Sequence, residues 1–144
     1  MLIRDLLKKQ VIISADVGQT VLEVAQLMVD HNIGAVPVLD NGRLVGIFSE
    51  RDLMRRVVVT GRSPAGTTVR EVMTDDPLTI KADDEVSTCM TLMRRHGFRH
   101  LPVCEGTDLK GVVSLRDVLL QDLDEKDDEV RMMRAYLHSA PDAL

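Results

Sequence analysis

The chain has 144 residues and a mass of 16.0 kDa, enough for one domain or two very small ones with a real core. Eighteen basic against 23 acidic residues leave a formal charge of −5, and the aromatic residues are Phe48, Phe98 and Tyr136. That composition excludes a general nucleic-acid binder, which needs a cationic footprint and, for single strands, stacking platforms.

The first element expected is a short amphipathic turn, Ile3-Arg4-Asp5-Leu6-Leu7. An extended stretch, Val11 to Ser14, leads to a helix that opens with Thr20-Val21-Leu22-Glu23, the pattern of a capping box. Val21, Val24, Ala25 and Met28 then recur at helical spacing. Ala35 to Leu39 and Leu44 to Phe48 read as strands, and Asn41-Gly42 between them is a strong hairpin signal. A second helix opens at Ser49. The stretch from Thr60 to Thr68 is rich in turn formers, lacks periodicity and reads as a linker.

After the linker the order repeats. Val69 to Met73 is a second amphipathic turn, so each copy is expected to begin with its own. Leu78 to Ile80 is extended, and Val86, Cys89, Met90 and Met93 form a helix face with Asp83 or Asp84 as cap. Leu101 to Cys104, a turn at Gly106, and Leu109 to Val113 make the second hairpin, and a helix opens at Ser114. Shifted by 65 positions, Ser14 to Leu53 matches Thr79 to Val118 at eleven of forty positions with no gap. Such a constant offset marks a tandem repeat. The fold class expected is α+β: two βαββα units packed about a pseudo-two-fold axis, sheet to sheet, sharing a core, with a C-terminal helix. The boundaries expected are 1–58 for the first repeat with its turn, 59–68 for the linker, 69–123 for the second repeat and 124–144 for a helix and tail.

In the tail, Leu119, Leu123, Lys126, Val130, Met133 and Leu137 follow heptad spacing. Two readings stand: a helix packed on its own domain with a solvated acidic face, or a dimer contact. Pro141 and the residues after it are expected to fray. Cys89 and Cys104 are too few for a disulfide framework and read as buried thiols of a reduced protein. The start lacks the apolar run of a leader and no stretch approaches a membrane span, so a soluble cytoplasmic protein without a membrane partner is expected.

The motif that carries chemistry is Gly46-x-x-Ser49-x-Arg51-Asp52, repeated as Gly111-x-x-Ser114-x-Arg116-Asp117. It sits where a strand turns into a helix. A helix N-terminus and a Ser hydroxyl suit an anion, the two oxygens of Asp suit vicinal ribose hydroxyls, and Arg51 or Arg116 suits a phosphate. The same residues also describe an ordinary helix start, with Ser as N-cap and an acid in the first turn. His31 and His96 sit where a basic residue complements a helix C-terminus. His100 and Cys104 share a strand face, but no metal-ligand spacing supports zinc and no third group supports a nucleophile, so no metal requirement and no catalysis are expected. Phosphate-loop and dinucleotide glycine motifs are absent from the sequence.

These residues resemble cystathionine-β-synthase (CBS) domains in tandem. The resemblance is carried by Ile33-Gly34-Ala35-Val36-Pro37-Val38 with Ser49 and Asp52, and by Phe98-Arg99-His100-Leu101-Pro102-Val103 with Ser114 and Asp117. It implies a disc of two βαββα units with two clefts for adenosine ligands: AMP, ADP or ATP, with S-adenosylmethionine or NAD species as alternatives. It assigns Asp52 and Asp117 to ribose, and Ser49 and Ser114 to phosphate or ribose. Ala35, Val36, His100 and Leu101 fall on the base pocket, and Arg99 and His100 on a place some members use for phosphate. Ile13, Ser14, Thr79 and Ile80 fall on the segments whose backbone reads adenine. The function implied is non-catalytic regulation, such as energy sensing, by a homodimer acting on an unnamed protein. The alternative is a dimerisation or docking module with vestigial clefts.

Overall fold

The computed structural model describes residues 1–7 and 11–139. The expected fraying from Pro141 onward lies outside the described residues. The chain opens with a 3-10 turn, Ile3–Leu6. Copy one follows as β1 (Ala15–Asp16), α1 (Val21–His31), β2 (Ala35–Asp40), β3 (Arg43–Ser49) and α2 (Glu50–Asp52). α2 runs on into a π-helical segment over Leu53–Val58, in which the Val59 N–H bonds the Met54 carbonyl five residues back. Then come α3 (Val69–Val72), β4 (Thr74–Asp75), α4 (Val86–His96), β5 (His100–Glu105), β6 (Asp108–Ser114) and α5 (Leu115–Ser139).

The hairpins are superposable in register. Ala35 pairs with Ser49 and Asp40 with Arg43, as His100 pairs with Ser114 and Glu105 with Asp108. Even the bulge recurs, between Val38 and Leu39 and between Val103 and Cys104. Asn41 and Gly42 both take positive φ, +49° and +80°, as a two-residue hairpin turn of this hand requires. The strand expected over Val11 to Ser14 forms one step later: Ala15 and Asp16 run parallel to Val38 and Leu39. In copy two the matching contact is the single bridge from Ile80 to Val103. β4 adds to the free edge of β3, giving the strand order β1-β2-β3-β4.

Helix starts differ between copies. Thr20 caps α1, its hydroxyl oxygen accepting the Glu23 N–H at 3.1 Å. α4 is capped at Glu85, not at Asp83 or Asp84; the Asp84 carboxylate instead accepts the Lys81 N–H at 2.8 Å and holds the preceding turn.

Two expectations about packing are corrected. The amphipathic turns precede one copy and pack in the other. Ile3 is fully buried with Ile80, Cys89, Leu101 and Val103, and its turn is tied to copy two by bonds from the Ile3 and Arg4 N–H groups to the Asp84 and Ala82 carbonyls and by an Arg4–Asp83 ion pair. Val69, Val72 and Met73 pack with Val24, Val36 and Phe48 of copy one. The copies also do not share a core. Each has its own aliphatic cluster, completed by the other's turn, and clefts open along the seam where β3 meets β6.

α5 is continuous across the expected boundary at Leu123, so the second helix of copy two and the tail helix are one element. Among the described residues its root is packed and the apolar row beyond it is not: Val118 is buried, whereas Leu123, Val130, Met133 and Leu137 are exposed. The reading in which the tail lies on its own domain does not hold.

Candidate functional site

Two cavities lie along the seam, and Gly34, Ala35 and His100 line both. One, of about 360 Å³, holds Ser49, Arg51, Asp52 and Arg99. The other, of about 540 Å³, holds Ile13, Ser114, Arg116 and Asp117. Both fall in the range of small-ligand pockets, roughly 300–1,000 Å³. The repeat therefore builds two sites, each fed by both copies: the acid of one copy faces the strand entry of the other.

Within each site Ser and Asp form a reciprocal cap. The Ser49 N–H and hydroxyl donate to Asp52 Oδ2 at 3.0 and 3.1 Å, and the Asp52 N–H donates to Ser49 Oγ at 3.2 Å. In copy two the Ser114 N–H donates to Asp117 Oδ2 at 3.4 Å and the Asp117 N–H to Ser114 Oγ at 3.1 Å. Glu50 N–H is bonded to the Gly34 carbonyl at 3.0 Å and Leu115 N–H to the Arg99 carbonyl at 2.7 Å. The helix starts are thus largely satisfied from within, and the phosphate cradle expected from their N–H groups is mostly spent. What remains for a ligand is the second carboxylate oxygen and the side chains around it.

That oxygen differs between the sites. Asp52 Oδ1 accepts the Thr74 hydroxyl at 3.2 Å and lies 3.8 Å from Arg56 Nε, and the Asp52 side chain is only 12% exposed. Arg56 is itself held by the Met73 carbonyl at 2.7 Å. Asp117 is exposed, and its Oδ1 has no partner among the described residues. His100, between the two sites, is biased toward its neutral form. Burial lowers its pKa most and Arg99 adds to that, while Glu50 and Asp117 pull the other way.

Five residues expected at the site do not line either cavity with their side chains: Val36, Leu101, Ile80, Ser14 and Thr79, of which Leu101 is buried in the core of copy two. Val36 is fully buried in the core of copy one, and Ile80 in that of copy two, with both of its backbone groups bonded to β5. Ser14 and Thr79 line neither of these two clefts. Conversely, Arg55, Arg56 and Thr74 join the Asp52 cleft, and Val112 and Leu120 the Asp117 cleft. Arg55 and Arg56 stand three and four residues after Asp52, a spacing that puts them on its helix face. Thr74 lies 22 residues away and leaves no local signal.

The thiols take no part in either wall. Burial pushes Cys89 up to about 11 and raises Cys104 as well. Among the described residues no three His, Cys, Asp or Glu side chains gather as a metal group. No described helix is long and apolar enough to cross a membrane.

Known proteins share this architecture. A mitochondrial CBS domain-containing protein of Arabidopsis thaliana is 34% identical over 82% of the chain, which spans 60% of that relative's length. A signal-transduction protein with CBS domains from Burkholderia ambifaria is 32% identical, covers 86% of this chain and 95% of its own, and superposes with a TM-score of 0.81. A CBS domain protein from Pyrobaculum aerophilum, solved in complex with AMP, is 27% identical over 84% of this chain and 97% of its own, with a TM-score of 0.75. The CBS domain pair of protein MJ0100, solved with methylthioadenosine and S-adenosylmethionine, is 25% identical over 87% of this chain and 98% of its own, at 0.78. The CBS domain model matches residues 3–59 and again 69–124. The chain belongs to the CBS domain family and is a tandem pair of such domains.

Proposed function

We propose that the protein is a non-catalytic regulatory module that binds an adenosine-containing ligand in the clefts between its two repeats. AMP, ADP and ATP are the leading ligands, with S-adenosylmethionine and NAD species as alternatives; the setting is the cytoplasm and the module acts on a regulated protein. The observation that carries this reading is Asp117: an exposed carboxylate with an uncommitted oxygen, on the rim of a cavity walled by Ile13, Ala35 and Val112. Such an oxygen suits a ribose diol and such walls suit a purine. The related chains solved with AMP and with S-adenosylmethionine support the ligand class. A ligand that fits one arrangement of the two halves better shifts the population toward it.

The test is a thermal-shift panel of AMP, ADP, ATP, NAD and S-adenosylmethionine. A ligand at a hundred times its dissociation constant adds about 2.7 kcal/mol, a shift of several degrees. Asp117→Ala should remove the shift for a ligand of that cleft. No shift at millimolar concentration with any of the five sinks the reading.

A second reading has its own observation, the bare apolar row on α5. A homodimer, or docking to the regulated protein, would cover Leu123, Val130, Met133 and Leu137, which the monomer leaves in water. Sedimentation of Met133→Asp beside the unaltered chain tests the homodimer: a dimer that persists in the variant excludes this row as its contact.

A further inference from the structure

We infer that the two clefts are chemically distinct, the Asp52 cleft taking the polyphosphate members of the ligand class and the Asp117 cleft an adenosine ligand with no phosphate at its 5′ end, such as S-adenosylmethionine. This rests on the nucleotide-binding reading above and assigns a different ligand to each of its sites.

The argument is a position-by-position comparison under the repeat. Arg55 and Arg56 of copy one correspond to Leu120 and Gln121 of copy two, and Arg99 of copy two corresponds to Gly34 of copy one. All three substitutions place the cation on the same side. The Asp52 cleft collects Arg51, Arg55, Arg56 and Arg99 against the acids Glu50 and Asp52. Arg51, Arg55 and Arg99 are exposed and make no ion pair among the described residues. Arg56 is held by the Val72 and Met73 carbonyls and sits beside Asp52, so it fixes the acid's charge. Three uncommitted guanidinium groups are more than one phosphate needs and match a chain of them.

The other cleft has Arg116 against Asp117, which nearly cancel, and its remaining wall includes Val11, Ile12 and Leu120. A polyphosphate there would lose hydration beside apolar groups with one cation, already offset by Asp117, to replace it. A nucleoside with no phosphate at its 5′ end would not.

Titration calorimetry with ATP, inorganic tripolyphosphate and 5′-deoxyadenosine separates the cases. The variants are Arg55→Leu with Arg99→Gln, and separately Asp117→Ala. Removing two guanidinium groups should weaken ATP and tripolyphosphate about tenfold or more and leave 5′-deoxyadenosine unchanged. Asp117→Ala should weaken 5′-deoxyadenosine and spare tripolyphosphate. ATP binding that ignores the arginine variant overturns the division of ligands while leaving nucleotide binding intact. Tripolyphosphate binding without any nucleoside binding removes the adenosine reading but keeps the polyanion cleft. No binding by any of the three overturns both.

Discussion

Asp52 and Asp117 occupy the same place in two copies of one motif, close reciprocal caps with their serines, and end in different states. The cap is local, spanning four residues, and the duplication carries it along with the hairpin register and the bulge. The second oxygen is governed by tertiary neighbours, and these are not copied. Asp52 meets Thr74 and Arg56; Asp117 meets the cavity. A repeat thus preserves what is encoded within a few residues and diversifies what is encoded across the chain. Two sites of one ancestry can in this way hold unlike ligands.

The largest effects should come from the exchanged turns. Ile3→Ala removes a fully buried side chain and should cost about 2–4 kcal/mol. Hydrogen exchange should then quicken in β5 and β6 before β2 and β3, although Ile3 precedes copy one. Val69→Ala, expected at about 1–2.5 kcal/mol, should do the reverse. Equal loosening of both hairpins in either variant would mean that the two clusters act as one core after all.

Gly46→Ala comes next. A methyl group built there collides with the Met73 side chain, itself buried against copy one. Overpacking of this kind costs about 1–3 kcal/mol, read by chemical denaturation. Met73→Ala in the same chain should recover part of the loss, and failure to recover any would exclude the collision as its cause.

The comparison between the acids is sharpened by Asp52→Ala and Asp117→Ala measured without ligand. Loss of a cap costs about 1 kcal/mol. Asp52 should exceed Asp117 because it also releases Thr74 and leaves Arg56 beside an empty place. Equal melting temperatures would show that the extra bonds of Asp52 add nothing.

The smallest effect is a pH slope. His100 has its pKa lowered in the folded chain, chiefly by burial. As pH falls below about 6.5, the unfolded chain takes up a proton that the folded one resists, so stability declines. The loss accumulates from there down to the folded-state pKa. His100→Gln should flatten this part of the melting-temperature profile, and an unchanged profile would place the slope elsewhere.

Much of this was legible in the residues. The tandem offset, the hairpin at Asn41-Gly42 and the serine–aspartate caps follow from spacing and turn chemistry alone. The two clefts were legible as a resemblance. The crossing of the turns was not, since Ile3 and Val69 have equivalent apolar patterns and either could fill either copy. Ile80 shows another limit: Thr79 is exposed and Ile80 buried, the alternation of an extended chain, so only the backbone of this segment is common to both positions as a contact for a ligand. Nor could spacing reveal that Thr74 would reach Asp52, 22 residues away.

The unbroken helix α5 makes Asp117 more than a binding group. The residue lies in the first turn of α5, whose 25 residues extend about 37 Å, most of it clear of the body. It stands at the fulcrum of a lever arm. A ligand that tilts this root by about 10° carries the far end through about 6 Å, since displacement scales with the helix's length. A small adjustment in the cleft would then be read at the tip as a step larger than one helical turn.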